Sequence, residues 1–220
     1  MFAAELINQG IPQLQLQDTV KKALQLITDF RVTHLPVVAE NIYLGLVSED
    51  DLLDADKVKM PIELLQDDFL KIAVKEKEHF LKAINLSNQF NTSIVPVIGS
   101  EKELVGVITS TDLLKTIGHF SGADEIGGLI VLEMERSKFA ISEISRITES
   151  HDTAILHLNT IVHPDSGLLT VTLHLNKKEI ASMVSTFERY EYNVIYFFGN
   201  EQYEYEVHSN YHHLMNYLDI

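Results

Sequence analysis

At 220 residues, 45% of them hydrophobic, the chain is long enough for two ordinary domains with real cores and too apolar for a disordered polymer. It has no cysteine, which excludes disulfide and thiolate chemistry, and no apolar run near the roughly 20 residues that a bilayer-spanning helix needs. Its formal charge of −15 is spread along the chain and disfavours nucleic acid and anionic membranes as partners, since both draw on Lys and Arg, so a soluble, cytoplasmic protein is expected.

Residues 19–30 place Val20, Ala23, Leu24, Ile27 and Phe30 at spacings of three and four behind Asp18 as a candidate N-cap, which predicts a helix with one buried face. The short β-rich runs "LPVV" and "YLGLV" are split by the polar turn "AENI" and read as a hairpin-like pair. A second helix starts at "SEDDLLDAD", with Ser48 as its cap and acids in the first turn, where the helix dipole favours them.

The same succession then recurs. At an offset of 60, Lys22, Ala23, Phe30, Pro36 and Val37 match Lys82, Ala83, Phe90, Pro96 and Val97. One inserted residue makes the offset 61, and Gly45, Asp51 and Leu52-Leu53 match Gly106, Asp112 and Leu113-Leu114. The copies differ in charge where "SEDD" becomes "TSTD": neutral Ser110 and Thr111 replace Glu49 and Asp50. Each Ser or Thr at a strand end, with an Asp one helical turn on, faces the free backbone N–H groups of a helix N-terminus. Without a ligand, the same residues act as ordinary N-caps worth about 1 kcal/mol.

An amphipathic helix, "LPVV" or "VPVI", a turn, and then Gly-hydrophobic-hydrophobic-Ser/Thr-x-x-Asp with a leucine pair resembles the cystathionine-β-synthase (CBS) domain. The doubled motif places repeat 1 in residues 1–57 and repeat 2 in residues 58–117. The resemblance implies a pseudo-symmetric pair with two clefts and, as an effector rather than a required cofactor, an adenine nucleotide such as AMP, ADP or ATP, or S-adenosylmethionine. It further implies that Asp51 and Asp112 accept from ribose hydroxyls, that Ser48 and Thr109 donate to phosphate or ribose, and that Val95, Pro96 and Ser110 belong to the second cleft. Extra carboxylates near a bound phosphate cost about 1 kcal/mol or more even in high dielectric, so the second cleft is the expected site.

Residues 118–128 form a Gly-rich linker, after which the repeat stops. A strand at 129–134, a helix at 138–149 with Phe139, Ile141, Ile144 and Ile147 among its apolar positions, and strands at 154–162 and 168–175 joined by "HPDSG" come next. A helix over about 177–190 and the strand "NVIYFF" complete a βαββαβ order, a ferredoxin-like plan. Behind a CBS pair, this plan over residues 129–200 resembles the ACT domain, and the whole resembles bacterial regulatory proteins of the acetoin-utilisation-B type. That resemblance implies an ACT-like domain which dimerises or binds a second small effector, although Arg136 and Ser137 stand where amino-acid-binding members carry Pro-Gly. Residues 201–220 read as a helical tail, with His208 and His212 on its solvated face.

If "HPDSG" closes tightly enough for His163 to face Leu168, then His157 lies opposite His174 on neighbouring strands. With no third ligand the pair is not read as a metal site. No phosphate-binding loop, dinucleotide fingerprint or nucleophile elbow is present. The chain therefore reads as a mixed α+β, non-enzymatic regulatory protein, a homodimer or higher homo-oligomer that acts on a regulated protein partner. The rival reading is a ligand-free scaffold for self-association or partner binding.

Overall fold

The computed structural model describes residues 1–55 and 57–199. The expected tail, with His208 and His212, lies outside the described residues. Two compact units divide the chain, Met1–Ile117 and Gly118–Ile220.

In the first unit, β1 (Leu14–Gln15), α1 (Val20–Phe30), β2 (His34–Ala39), β3 (Ile42–Ser48) and α2 (Glu49–Leu53) are followed by a matching set. That set is β4 (Val74–Lys75), α3 (Phe80–Phe90), β5 (Ile94–Ile98), β6 (Leu104–Thr109) and α4 (Ser110–Phe120). Each copy forms a three-stranded sheet: β1 runs parallel to β2 with Leu14 beside Val37, and β4 runs parallel to β5 with Val74 beside Val97. The β2–β3 and β5–β6 pairs are antiparallel. Glu40 and Asn41 both take positive φ between β2 and β3, the geometry that matches the twist of a tight hairpin.

Helix α1 buries Val20, Ala23 and Ile27, as its spacing predicts, but Thr19 and not Asp18 is its N-cap. The Thr19 hydroxyl accepts from Lys22 N at 3.3 Å, while Asp18 turns back to accept from Gln15 N and Lys22 Nζ. Helices α1 and α3 each end on a left-handed residue, Arg31 and Asn91, which closes the last turn.

The segment leading into each repeat crosses to the sheet of the other. Leu70 bridges Leu46 of β3, and Asn8 bridges Val107 of β6. The crossings explain Gly45 and Gly106: a Cβ on Gly45 would meet Phe69 and the Leu70 carbonyl, and a Cβ on Gly106 would meet Ile7 and the Asn8 carbonyl. On the dividing line between the copies, Thr33 N donates to Ser93 Oγ at 2.8 Å, and these two residues are sequence equivalents. Where the first repeat has Val32, the second has Thr92, whose Oγ1 is buried without a hydrogen-bond partner.

In the second unit, β7 (Gly128–Met134), α5 (Ile141–Ser150), β8 (Ile155–Val162), β9 (Leu169–Leu175), α6 (Ala181–Arg189) and β10 (Asn193–Phe198) follow the expected βαββαβ order. The strands form one antiparallel sheet in the order β10-β7-β9-β8. Alternate residues Ile130, Leu132 and Met134 of β7 and Val171, Leu173 and Leu175 of β9 pack against Ile144 and Ile147 of α5 and Met183, Val184 and Phe187 of α6.

Helix α5 starts later than the apolar spacing suggests, because Arg136–Lys138 form a 3-10 turn first, and Ile141 is exposed rather than part of the buried face. The hairpin at "HPDSG" closes as its chemistry requires: His163 N donates to Leu168 O at 2.9 Å, and His157 stands opposite His174. Tyr192 donates to Glu143 Oε2 at 2.8 Å, and burial together with that bond pushes the phenol up to about 12. Among the described residues, no helix is long and apolar enough to cross a membrane.

Candidate functional site

Strand β3 ends at Ser48 and strand β6 at Thr109, so each repeat presents its hydroxyl at the point where a strand turns into a helix. In both copies the hydroxyl and the aspartate three residues on close a reciprocal cap. Ser48 Oγ accepts from Asp51 N at 3.0 Å and donates to Asp51 Oδ2, which also accepts from Ser48 N at 3.1 Å. Thr109 Oγ1 accepts from Asp112 N at 3.1 Å and donates to Asp112 Oδ2 at 2.6 Å, and Thr109 N reaches the same oxygen at 3.3 Å. Such a box satisfies helix donors that would otherwise be orphaned. One carboxylate oxygen of each Asp is thereby committed to its own turn; among the described residues, no donor reaches Oδ1 of Asp51 or Asp112. The two hydroxyls thus take the N-cap role that the residues themselves predict.

The surroundings of the two aspartates differ. Asp112 Oδ2 also accepts from Asn8 Nδ2 at 3.4 Å, an amide carried in by the crossing N-terminal segment. Leu70 holds the corresponding crossing position over the first repeat, and its side chain carries no donor. Asn8 is a site residue that the motif does not reveal, because its contact depends on a chain crossing from 104 residues away.

Beside Asp51, β2 begins with His34, which is paired in register with Ser48. Burial holds the His34 imidazole below its ordinary range, against the pull of Asp51 and Asp50. At the equivalent place in the second repeat, Ile94 faces Thr109. The end of β3 thus gathers Glu49, Asp50, Asp51 and an imidazole that burial shifts towards its neutral form, and the end of β6 forms its counterpart. That counterpart gathers one carboxylate, an amide and neutral hydroxyls.

The remaining candidates divide between core and surface. Val95 is fully buried with Val97 and Ile108, and Pro96, paired in register with Val107, is buried on the opposite face of β5. Ser110 is exposed, and its hydroxyl donates to Ser93 O at 3.0 Å, which leaves its oxygen lone pairs facing outward. A cavity of about 250 Å³ lies between Gln9, Ile11, Pro12 and Gln13 of the crossing segment and Gly106 and Val107 of β6, and none of the candidate residues lines it. A side chain at position 106 would push that segment off the strand.

Residues 3–57 and 68–119 match the model of the CBS domain. A curated relative, homoserine O-acetyltransferase of Methanobrevibacter ruminantium, is 29% identical over 119 residues, which are 53% of this chain and 24% of that protein. The chain thus spans about a quarter of the length of that relative. Among solved structures, a CBS domain pair/ACT domain protein of Thermotoga maritima aligns over 55% of this chain and 98% of its own, with 20% identity and a TM-score of 0.50. An acetoin utilization protein of Vibrio cholerae aligns over 56% of this chain and 95% of its own, with 19% identity and a TM-score of 0.47.

Proposed function

From a tandem pair of CBS domains in residues 3–119, we propose a non-enzymatic regulatory protein that binds an adenine nucleotide in the second-repeat cleft. The observation that carries this reading is the asymmetry at the strand ends. Asp112 keeps Oδ1 free for a ribose hydroxyl, with an amide and neutral hydroxyls as neighbours, while Asp51 shares its cleft with Glu49 and Asp50. A carboxylate accepts well from a vicinal diol, and a phosphate is better tolerated where no second carboxylate stands nearby. At the start of α4, Ser110 N donates to Ser93 O and Asp112 N to Thr109 Oγ1, so the Thr111 N–H between them is the backbone donor for that phosphate.

The nucleotide acts by preferring one arrangement of the protein over another, since a ligand shifts an equilibrium only through differential affinity. Thermal-shift measurements with AMP, ADP, ATP and S-adenosylmethionine test the reading. A ligand at 100 times its dissociation constant stabilises the unit that holds it by about 2.7 kcal/mol. A rise in melting temperature with at least one of the four is expected; no rise with any of them favours the scaffold.

The second unit supplies self-association in this account. Among the described residues, strand β10 lies at the edge of its sheet and exposes Ile195, Tyr196, Phe197 and Phe198, each by 39% or more. An open edge with such a run pairs readily with another copy. Light scattering is expected to give at least twice the chain mass of 24.9 kDa, and a monomer mass across a hundredfold dilution would contradict it.

A further inference from the structure

The linker that leads into the second unit does not hang free of it. Gly122 is buried although Ser121, Ala123, Asp124, Glu125 and Ile126 around it are exposed. What buries it is the histidine pair: a Cβ on Gly122 would overlap the His157 ring and press on His174 Nδ1, and one on Gly127 would press on His174 Nε2. The two rings lie 5.9 Å apart at 28° to each other, with His174 almost wholly buried. Glu125 adds a carboxylate oxygen 3.6 Å from His157 Nε2. Gly122 takes φ 68°, a left-handed conformation that suits glycine, so both its shape and its lack of a side chain fit this seat. A register shift in β8 between Ile155 and His157 re-aims the strand just before the ring.

We propose that residues 121–127, which follow α4, form a strap, latched by His157 and His174 at neutral pH and released in acid. The latch goes beyond the nucleotide reading and does not depend on it. His is the side chain whose charge ordinarily changes between pH 5 and 8. The groups that face the rings are few. From the strap come Glu125 and its neighbour Asp124, and from α4 comes His119, whose carbonyl accepts from Gly122 N. From the sheet, Asn159 and Thr172 stand next along the same face, and Leu129 of β7 is paired in register with His174.

A single proton on His157 is met by Glu125 and keeps the strap in place. A second proton, on His174, puts two like charges side by side, one of them under the strap and out of water. Two charged rings held 5.9 Å apart repel each other, and the released state relieves that repulsion, so acid favours release. Release turns residues 121–127, which connect α4 to β7, from a seated segment into a free tether.

Hydrogen exchange on the full chain reads this directly, at the Gly122, Ala123 and Glu125 amides, which donate to His119 O, Gly118 O and Gly122 O in the seated strap. After correction for intrinsic rates, their protection is expected to fall about tenfold or more from pH 7.5 to 5.5, since each pH unit shifts a one-proton linkage up to tenfold. Protection at Leu132 and Val171 in the same sheet stays constant. The double variant His157→Gln with His174→Gln is expected to lose the pH dependence, and Gly122→Ala to expose the three amides at both pH values. Protection that is equal at the two pH values in the native chain, or a pH dependence that survives the double substitution, overturns the latch. A strap still protected in Gly122→Ala overturns the seat.

Discussion

Asp112→Ala weakens AMP binding by about 10- to 150-fold, whereas Asp51→Ala leaves it nearly unchanged. The first figure is the loss of a charge-assisted hydrogen bond, about 1.5–3 kcal/mol, expressed as affinity. The second follows from a cleft in which Glu49 and Asp50 already oppose a phosphate and the imidazole of His34 is shifted towards its neutral form. Each substitution removes only the carboxylate half of a reciprocal cap, because Ser48 Oγ or Thr109 Oγ1 still accepts from the backbone N–H at 51 or 112, and urea unfolding of each variant separates lost binding from a frayed helix. Calorimetry on the two variants decides the matter, and equal losses, or the reverse ranking, would place the site elsewhere. The double substitution Glu49→Ser with Asp50→Thr, which makes the first motif read like the second, isolates the charge term. It is expected to create or strengthen binding at the first cleft, with a gain that shrinks as salt is raised.

Phe187→Ala destabilises the second unit by about 3–5 kcal/mol, the usual cost of emptying a large aromatic site in a packed core. Phe187 is fully buried, and Tyr192 meets its ring edge-on at 5.6 Å. Tyr192 in turn donates to Glu143 of α5, so the aromatic pair ties both helices to the sheet. Collapse around the vacancy would therefore break a hydrogen bond as well as lose contacts. Urea unfolding followed by circular dichroism measures the change; a shift below about 1 kcal/mol would mean that this core is looser than its geometry implies.

The doubled pattern let the first unit be read from residues alone, because an offset of 60 that aligns Pro36 with Pro96 also aligns the β1–β2 and β4–β5 registers. The His157–His174 pairing was legible for a similar reason: a tight turn at "HPDSG" sets every later pair in that hairpin. What stayed hidden depends on contacts that local pattern does not encode. Asn8 reaches Asp112 only because the N-terminal segment crosses to β6, and nothing in the sequence around Asn8 marks that crossing. Thr19 displaces Asp18 as the cap because Asp18 is drawn to Gln15 N and Lys22, a local competition between two adjacent capping residues. The aspartates were visible as acceptors, but their commitment to the Ser48 and Thr109 hydroxyls needed side-chain geometry. The seat of Gly122 was equally unreadable, since a glycine among polar residues resembles any flexible linker until the two rings beneath it are in place.

The central claim is that the second-repeat cleft, and not the first, holds the nucleotide, and a crystal structure of the full chain grown with AMP tests it most directly. The account predicts density for one adenosine per chain, with ribose hydroxyls on Asp112 Oδ1 and phosphate at the N-terminus of α4. A nucleotide seated instead on Asp51, beside Glu49 and Asp50, would contradict it, as would crystals grown at saturating AMP in which neither cleft is filled.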